Sequence, residues 1–505
     1  MAGPNRKIHY AGYFGTLLTI GLMALGVAIG ASSAGIAETT APPAETAPRG
    51  MADLDAAVDR NPQDIDALFD RARAHARGEN FDAAIADYSR VLALDPGNVA
   101  ALHRRGIAYS DNGEYEKAIA DFDAGVKITP RDSLLLLNRG MAHARNRDED
   151  RAIQDFTRVI GFTPDYGFAY QQRGWSYFYA GAYDRAIQDF DHVIATDSDN
   201  IDARYGRGRA LAWNGNHDDA LVAFDWVIAR VPDHVGALIG RGRVHARKGE
   251  LLRALADYEL GLQIDPDNWE LHTSRGQAYV VLDRKARSGP ESGPAFALDG
   301  DDASQFLDRA DAYRQAGEYD RAIADYDRAI AIDSTEPAHF TGRGHARANQ
   351  GNFETAIADF DAAIAIDAED ASLYRQRAEF HVELGQYGQA ANDYSKAIER
   401  NPDDIHLYSR RGDAFVQLEK NDLAIADFAH CIALGADHAG IYFARGYAYL
   451  AKDDFKPAIA DFDRAAARNP DDSQTVFLRG VSYLGLGEIG QALSDFYKAF
   501  KLARA

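Results

Sequence analysis

The chain holds one cysteine in 505 residues. A lone thiol cannot build a disulfide framework. Basic residues are also in short supply. Against 77 Asp and Glu there are 55 Lys and Arg, and the formal charge is −22. Nucleic-acid binding needs a basic footprint, so no nucleic-acid partner is expected. Catalytic signatures are missing as well: no HExxH, CxxC, GxSxG, P-loop or dinucleotide fingerprint occurs. The sequence therefore reads as a non-enzyme, with no catalytic residue, cofactor or metal expected.

What is present is a sentence repeated. Residues 98–131 read NVAALHRRGIAYSDNGEYEKAIADFDAGVKITPR. The first phrase, Val99 to Asn112, puts Leu102, Gly106 and Tyr109 on one helical face. The second, Tyr115 to Ile128, does the same with Ala118, Phe122, Gly125 and Val126. Asn112-Gly113 breaks the middle and Pro130 stops the end. This is a helix hairpin of 34 residues, and thirteen such lengths run from Asp64 to Ala505.

Fixed positions recur at that period. The first helix carries Gly or Ala at 72, 106, 140 and every 34 residues to Gly480. The second carries Ala from Ala84 to Ala492, and four residues later Tyr or Phe from Tyr88 to Phe496, interrupted only at Ser288 and Ser292. In an antiparallel pair the small residue faces the aromatic, as Gly106 faces Phe122, so the helices approach to about 8–10 Å. One hairpin cannot bury both its faces, so neighbours must complete its core.

This pattern resembles the tetratricopeptide repeat over 64–505. The resemblance implies an all-α fold, a right-handed superhelical solenoid of antiparallel hairpins whose first helices line a concave groove. The residue before the small Gly or Ala, often Leu in that family, is Arg in all thirteen repeats. Opposite it stands Asp in eleven, with Ala223 and Glu291 the exceptions. Arg105 with Asp121, and Arg411 with Asp427, are expected rungs of an ion-pair ladder that fixes register more than it adds stability.

Segments 1–37 and 38–50 differ from the rest. Arg6 and Lys7 precede AGYFGTLLTIGLMALGVAIGASSAGIA, and no charge follows until Glu38. Such a run can cross a bilayer, with the basic end inside. It reads as a signal peptide or signal anchor, so the repeats are expected to be exported, periplasmic or tethered to an inner membrane by this segment alone. Residues 38–50 form a Pro/Ala-rich linker, and 51–63 a half-repeat capping the N-terminal end. The repeats are expected as block 64–284 and block 302–505. Between them lies 285–301, where Ser288, Gly289, Pro290, Gly293 and Pro294 should end the helix of repeat seven near Asp283 and leave a degenerate second helix, a loop or a hinge.

The resemblance places the groove one residue past the small Gly or Ala and at helical spacings from it. Phe168, Gln171, Trp175, Phe178 and Tyr179 of repeat four fall there, with Tyr205, Arg209 and Trp213 of repeat five and Arg243 and Arg247 of repeat six. Clustered aromatics and Arg are the chemistry of protein-recognition hot spots, suited to a peptide bearing carboxylates and apolar anchors. Packing against the neighbouring hairpin is the competing role for some of them. The family's carboxylate clamp of paired Lys and Asn is not matched. Farther on, Asp311, Glu379, Glu383 and Asp413 make the groove acidic, and Phe443, Tyr447, Leu450, Phe477, Val481 and Leu484 make it apolar, so self-association through the C-terminal repeat is expected. His75, His143, His245 and His381 stand where other repeats have Tyr and are expected to be core groups, as is Cys431 where neighbours have Ala397 and Ala465. The function expected is an extracytoplasmic scaffold for protein partners, with glycan handling as the alternative.

Overall fold

A computed structural model describes residues 50–288, 298 and 300–504. Among these there are 26 helices and no strand. The expected signal segment 1–37 and most of the linker lie outside the described residues. Within them, no helix is long and apolar enough to cross a membrane. The chain divides into two compact parts, Met1–Ala108 and Tyr109–Ala505, each described by itself.

Helix starts follow from one position in the repeat. Asp64, Asp132, Asn200, Asp302, Asp370, Asp404 and Asp472 each precede a first helix and accept a hydrogen bond from its first-turn backbone N–H. Between the two helices of most hairpins the chain turns through a left-handed residue. Gly181, Gly215, Gly351 and Gly385 take it at φ of 77°, 86°, 82° and 69°. A two-helix unit of fixed length results.

The hairpins interlock through their aromatics. In repeat four, a Cβ placed on Gly174 would sit 3.0 Å from the Phe190 ring, and one on Gly206 of repeat five would sit 2.5 Å from it. Phe190 thus fills the space between its own first helix and the next one. Phe224 does the same between Gly208 and Gly240, and Tyr326 reaches Gly342. These rings are fully buried.

The arginine ladder is present and does more than the sequence suggested. Pairs of Arg with the Asp sixteen residues later run from Arg71–Asp87 to Arg479–Asp495. Arg411 is typical: Nε and Nη2 donate to the two Asp427 carboxylate oxygens at 2.9 and 2.7 Å. This contact, in spite of partial burial, holds the guanidinium pKa above its ordinary value. The third nitrogen, Nη1, reaches back sixteen residues to Ser395 of the preceding repeat at 3.0 Å. The same backward reach joins Arg139 to Asp123, Arg173 to Thr157, Arg241 to Asp225 and Arg343 to Asp327. One guanidinium therefore ties three helices. Arg207, whose forward position is Ala223, turns Nε back to Asp191 at 2.6 Å. In the first part, Asp55 of helix Met51–Arg60 supplies Arg71 with the backward acceptor. Arg105 falls in the first part and Asp121 in the second, and each part is described by itself.

Repeat seven departs from expectation. Its helix, Trp269–Ser288, runs past Asp283 and takes in residues 285–288, which were expected to belong to the degenerate segment. Residues 289–297 and 299 lie outside the described residues. Helix Ala303–Gln315 of repeat eight then packs directly on Trp269–Ser288. Arg275, lacking a forward Asp, donates Nε to Asp308 of that helix at 2.7 Å, and Tyr313 donates its hydroxyl to Asp283. The approach is so close that a Cβ on Gly276 would lie 2.1 Å from the Asp308 carbonyl oxygen.

Two outcomes are expected. Arg411→Met alone leaves Asp427 buried and uncompensated, at a cost of about 3–5 kcal/mol. A urea-denaturation cycle with Asp427→Leu should give a coupling of about 1–3 kcal/mol, and a value near zero would remove the ladder's role. The second concerns Glu149, at the seam of repeats three and four. Its Oε2 has no hydrogen-bond partner among the described residues, and burial pushes its carboxyl up to about 7, helped by Asp148 and Asp150. His143 sits within the hairpin of repeat three, with its imidazole pKa lowered by burial. A raised carboxyl pKa gives stability that is complete below the unfolded value and lost as pH rises through the folded one. Glu149→Gln should therefore match the parent midpoint near pH 4.5 and exceed it at pH 8 by on the order of 1 kcal/mol, given partial exposure.

Candidate functional site: an aromatic and arginine surface on repeats four to six

Successive first helices touch directly: Gly167–Tyr179 contacts Ile201–Trp213, which contacts Val235–Arg247. Equivalent positions on these helices lie one repeat apart, so side chains projecting from them meet in rows. One row is Trp175, Arg209 and Arg243; the other is Tyr179, Trp213 and Arg247.

The first row begins with Trp175, half-buried, its ring 6.2 Å from Tyr179, 5.8 Å from Phe178 and 6.1 Å from Tyr205. Arg209 of the next repeat lies over three of these rings, 4.6 Å from Phe178, 5.5 Å from Trp175 and 5.7 Å from Tyr205. In the second row, Trp213 is 50% exposed and Arg247 stands over it at 5.0 Å. Arg247 also donates Nη1 to the Ala212 carbonyl at 3.0 Å. Tyr183, from the second helix of repeat four, stacks on Trp213 at 6.3 Å. Sequence reasoning missed Tyr183, although it opens its helix two residues past the Gly181 break.

The candidates thus separate. Trp175, Phe178, Tyr179, Tyr205, Arg209, Trp213 and Arg247 form one connected surface. Phe178, only 7% exposed, is also part of the core with Phe190, Ala203 and Ala210. Tyr205 packs 4.7 Å from His234, and its hydroxyl pKa is raised by burial. Phe168 is exposed and stands 6.2 Å from Tyr166, and Gln171 is half-buried. Arg243 is drawn aside by Glu270 at 2.5 Å.

The acidic stretch is partly neutralised. Asp311 accepts from the Tyr326 hydroxyl at 2.6 Å and from Arg314 at 3.0 Å, and Glu379 accepts from Arg375 at 3.2 Å. Glu379 and Glu383, with His345, Asn349, Phe353 and Phe380, line a groove of about 420 Å³. Burial raises the Asp413 carboxyl pKa, and Arg410 opposes the shift. In repeats twelve and thirteen Tyr447, Phe477 and Leu484 are exposed, whereas Phe443, Leu450 and Val481 are half-buried. A further apolar stripe, unforeseen from the sequence, lies on the last helix: Ile489, Leu493, Tyr497 and Phe500. Leu493 is 63% exposed.

Histidines of the Tyr position sit in the hairpin interface. His143 and His245 are buried, with His245 Nδ1 2.8 Å from Glu250, and His381 Nδ1 is 2.7 Å from Gln386. Among the described residues no three His, Cys, Asp or Glu converge as a metal site. Cys431 is fully buried, its thiol pKa pushed up to about 11 by burial, so it stays a packed, protonated group.

Family models for the tetratricopeptide repeat match 48–99, 103–166, 172–224, 214–269, 443–504 and 340–370, and a TPR repeat model matches 310–351 and 380–418. Among solved structures, the chain is similar to a tetratricopeptide repeat protein from Parabacteroides merdae, at 18% identity over 56% of this chain and 98% of that one, with a TM-score of 0.39. YrrB, described as a TPR protein with an unusual peptide-binding site, is 24% identical over 39% of this chain and 100% of its own, with a TM-score of 0.34. MamA from Desulfovibrio magneticus RS-1 is 18% identical over 33% and 95%, with a TM-score of 0.32. No curated protein matches the chain.

Burial predicts which of these side chains serve the fold. Phe178→Ala should cost about 3–5 kcal/mol by urea denaturation, as a buried aromatic does. Trp213→Ala should cost less than about 1 kcal/mol. Equal losses would make Trp213 a packing residue.

Proposed function

The chain belongs to the tetratricopeptide repeat family, and we propose that it scaffolds protein–protein contacts through the first-helix surface of repeats four to six. The observation that carries this reading is the joining of rings and guanidinium groups from three successive repeats into one surface. Aromatic and Arg side chains held in place by neighbours lose little freedom on binding, which is why such clusters dominate interface energetics. A glycan would need open ring faces to stack on. Trp213 already carries Tyr183 and Arg247, and Trp175 carries Arg209, so the surface favours a peptide.

The apolar run after Arg6 and Lys7 supports a setting outside the cytoplasm, periplasmic or tethered to the inner membrane. The exposed stripe on Ile489–Leu502 supports self-association through repeat thirteen as a second contact.

The test is photo-crosslinking from position 179 in intact cells, followed by mass spectrometry. The expected result is a defined set of protein partners, lost when Trp175→Ala and Trp213→Ala are combined. An unchanged set would make the patch packing. Loss of the crosslinks to free oligosaccharide but not to peptides would favour glycan handling. Fractionation that found the protein only in the cytoplasm would end the export proposal.

A further inference from the structure

Arginine is used in two ways in this molecule, on opposite sides of the same glycine. In repeat five the order is Arg207, Gly208, Arg209, and in repeat six Arg241, Gly242, Arg243. Two residues along a helix turn about 200°, so the flanking side chains leave on opposite faces. Arg207 and Arg241 turn into the ladder and each finds a carboxylate, Asp191 and Asp257 respectively. Arg209 turns to the groove and finds none.

That absence is informative in a chain with 77 carboxylates to 55 cations. Among the described residues, Arg209 makes no ion pair and no side-chain hydrogen bond; its contacts are the three rings beneath it. Arg247 likewise has no ion pair, only Trp213 beneath it and the Ala212 carbonyl at one nitrogen. A guanidinium carries five N–H donors in a plane. Laid over a ring, it gains cation–π attraction through its face while its edges stay open to a planar acceptor. The rings remove water from one side and fix the plane, so an incoming carboxylate meets a preorganised bidentate donor. Neighbouring Arg243 is already neutralised by Glu270.

We infer that Arg209 and Arg247 are paired anion anchors, which take two side-chain carboxylates of one acidic peptide while Tyr179 and Trp213 take an apolar residue of the same peptide. This rests on the scaffold reading above and specifies its ligand. The anchors stand on successive first helices, so the acidic residues must be separated along the peptide. Uronic-acid glycans also carry carboxylates, but the ring faces they would stack on are occupied, and peptide is the class favoured.

The probes are blocked twelve-residue synthetic peptides in which Glu and Phe alternate between serines, with the Glu spacing varied from two to five residues, and the same peptides with Gln for Glu. Binding to the full chain is read by tryptophan fluorescence and calorimetry. At least one Glu peptide should bind tenfold or more tighter than its Gln counterpart. Arg209→Gln and Arg247→Gln should each abolish that preference while the helical circular-dichroism spectrum of the array is retained. Arg185→Gln, which removes a cation from the second helix of repeat four, should change neither. The inference is overturned if wild type does not distinguish the two peptide series, if both Arg variants keep the preference, or if an oligogalacturonate competes at equal carboxylate concentration. No binding of either series also overturns it, but leaves the scaffold reading to be decided by the crosslinking from position 179.

Discussion

The close contact of a large ring with two small residues sets everything else in this chain. Phe190 lies against Gly174 of its own repeat and Gly206 of the next, with would-be Cβ distances of 3.0 and 2.5 Å. Neither helix could come so near if those positions carried side chains, and neither repeat could be displaced without opening a void or a clash. Register along the array is therefore decided locally, at each seam, by shape. Cohesion accumulates from neighbour to neighbour, as expected when a unit contacts only the units beside it.

Charge then reads the register that shape has set. Each ladder guanidinium needs one acceptor sixteen residues ahead and, in many repeats, another sixteen behind. A shift by a single residue would strand Asp side chains that are almost wholly buried, such as Asp359 and Asp461. Uncompensated burial of that kind is what makes wrong pairings expensive, whatever the net contribution of the right ones.

The hairpin, the small-against-large contact and the forward rung were all legible in the sequence, because each is a spacing within one repeat. The backward rung was not, although Asp55, Asp123, Asp225 and Asp327 recur at the same period. It depends on how one hairpin stacks on the next, and no intra-repeat spacing records that offset. Repeat seven shows the same limit more sharply. The Gly and Pro residues that interrupt its second phrase were visible, but the extension of its first helix to Ser288 and the transfer of Arg275 to Asp308 were not. Gly276 belongs to the ordinary small-residue series, yet here the atom it makes room for is a backbone carbonyl and not a ring. At the groove, the positions of Trp175, Arg209 and Trp213 followed from the repeat. Their mutual stacking, the part played by Tyr183 and the diversion of Arg243 to Glu270 required coordinates.

The two arginine rows explain how an acidic protein keeps cations available for a ligand. Acidic residues are plentiful, but helical geometry sorts them. Those of the second helices face the ladder or the solvent beyond it, and the first helices of repeats four to six bring almost none to the groove side. Glu270, from the first helix of repeat seven, captures Arg243. Where no carboxylate can reach, the rings take the place of a counter-ion. They hold the guanidinium in position without satisfying its edges. The fold thus pairs the ladder arginines with carboxylates and leaves Arg209 and Arg247 supported but not neutralised, which is the condition an anion-binding surface requires.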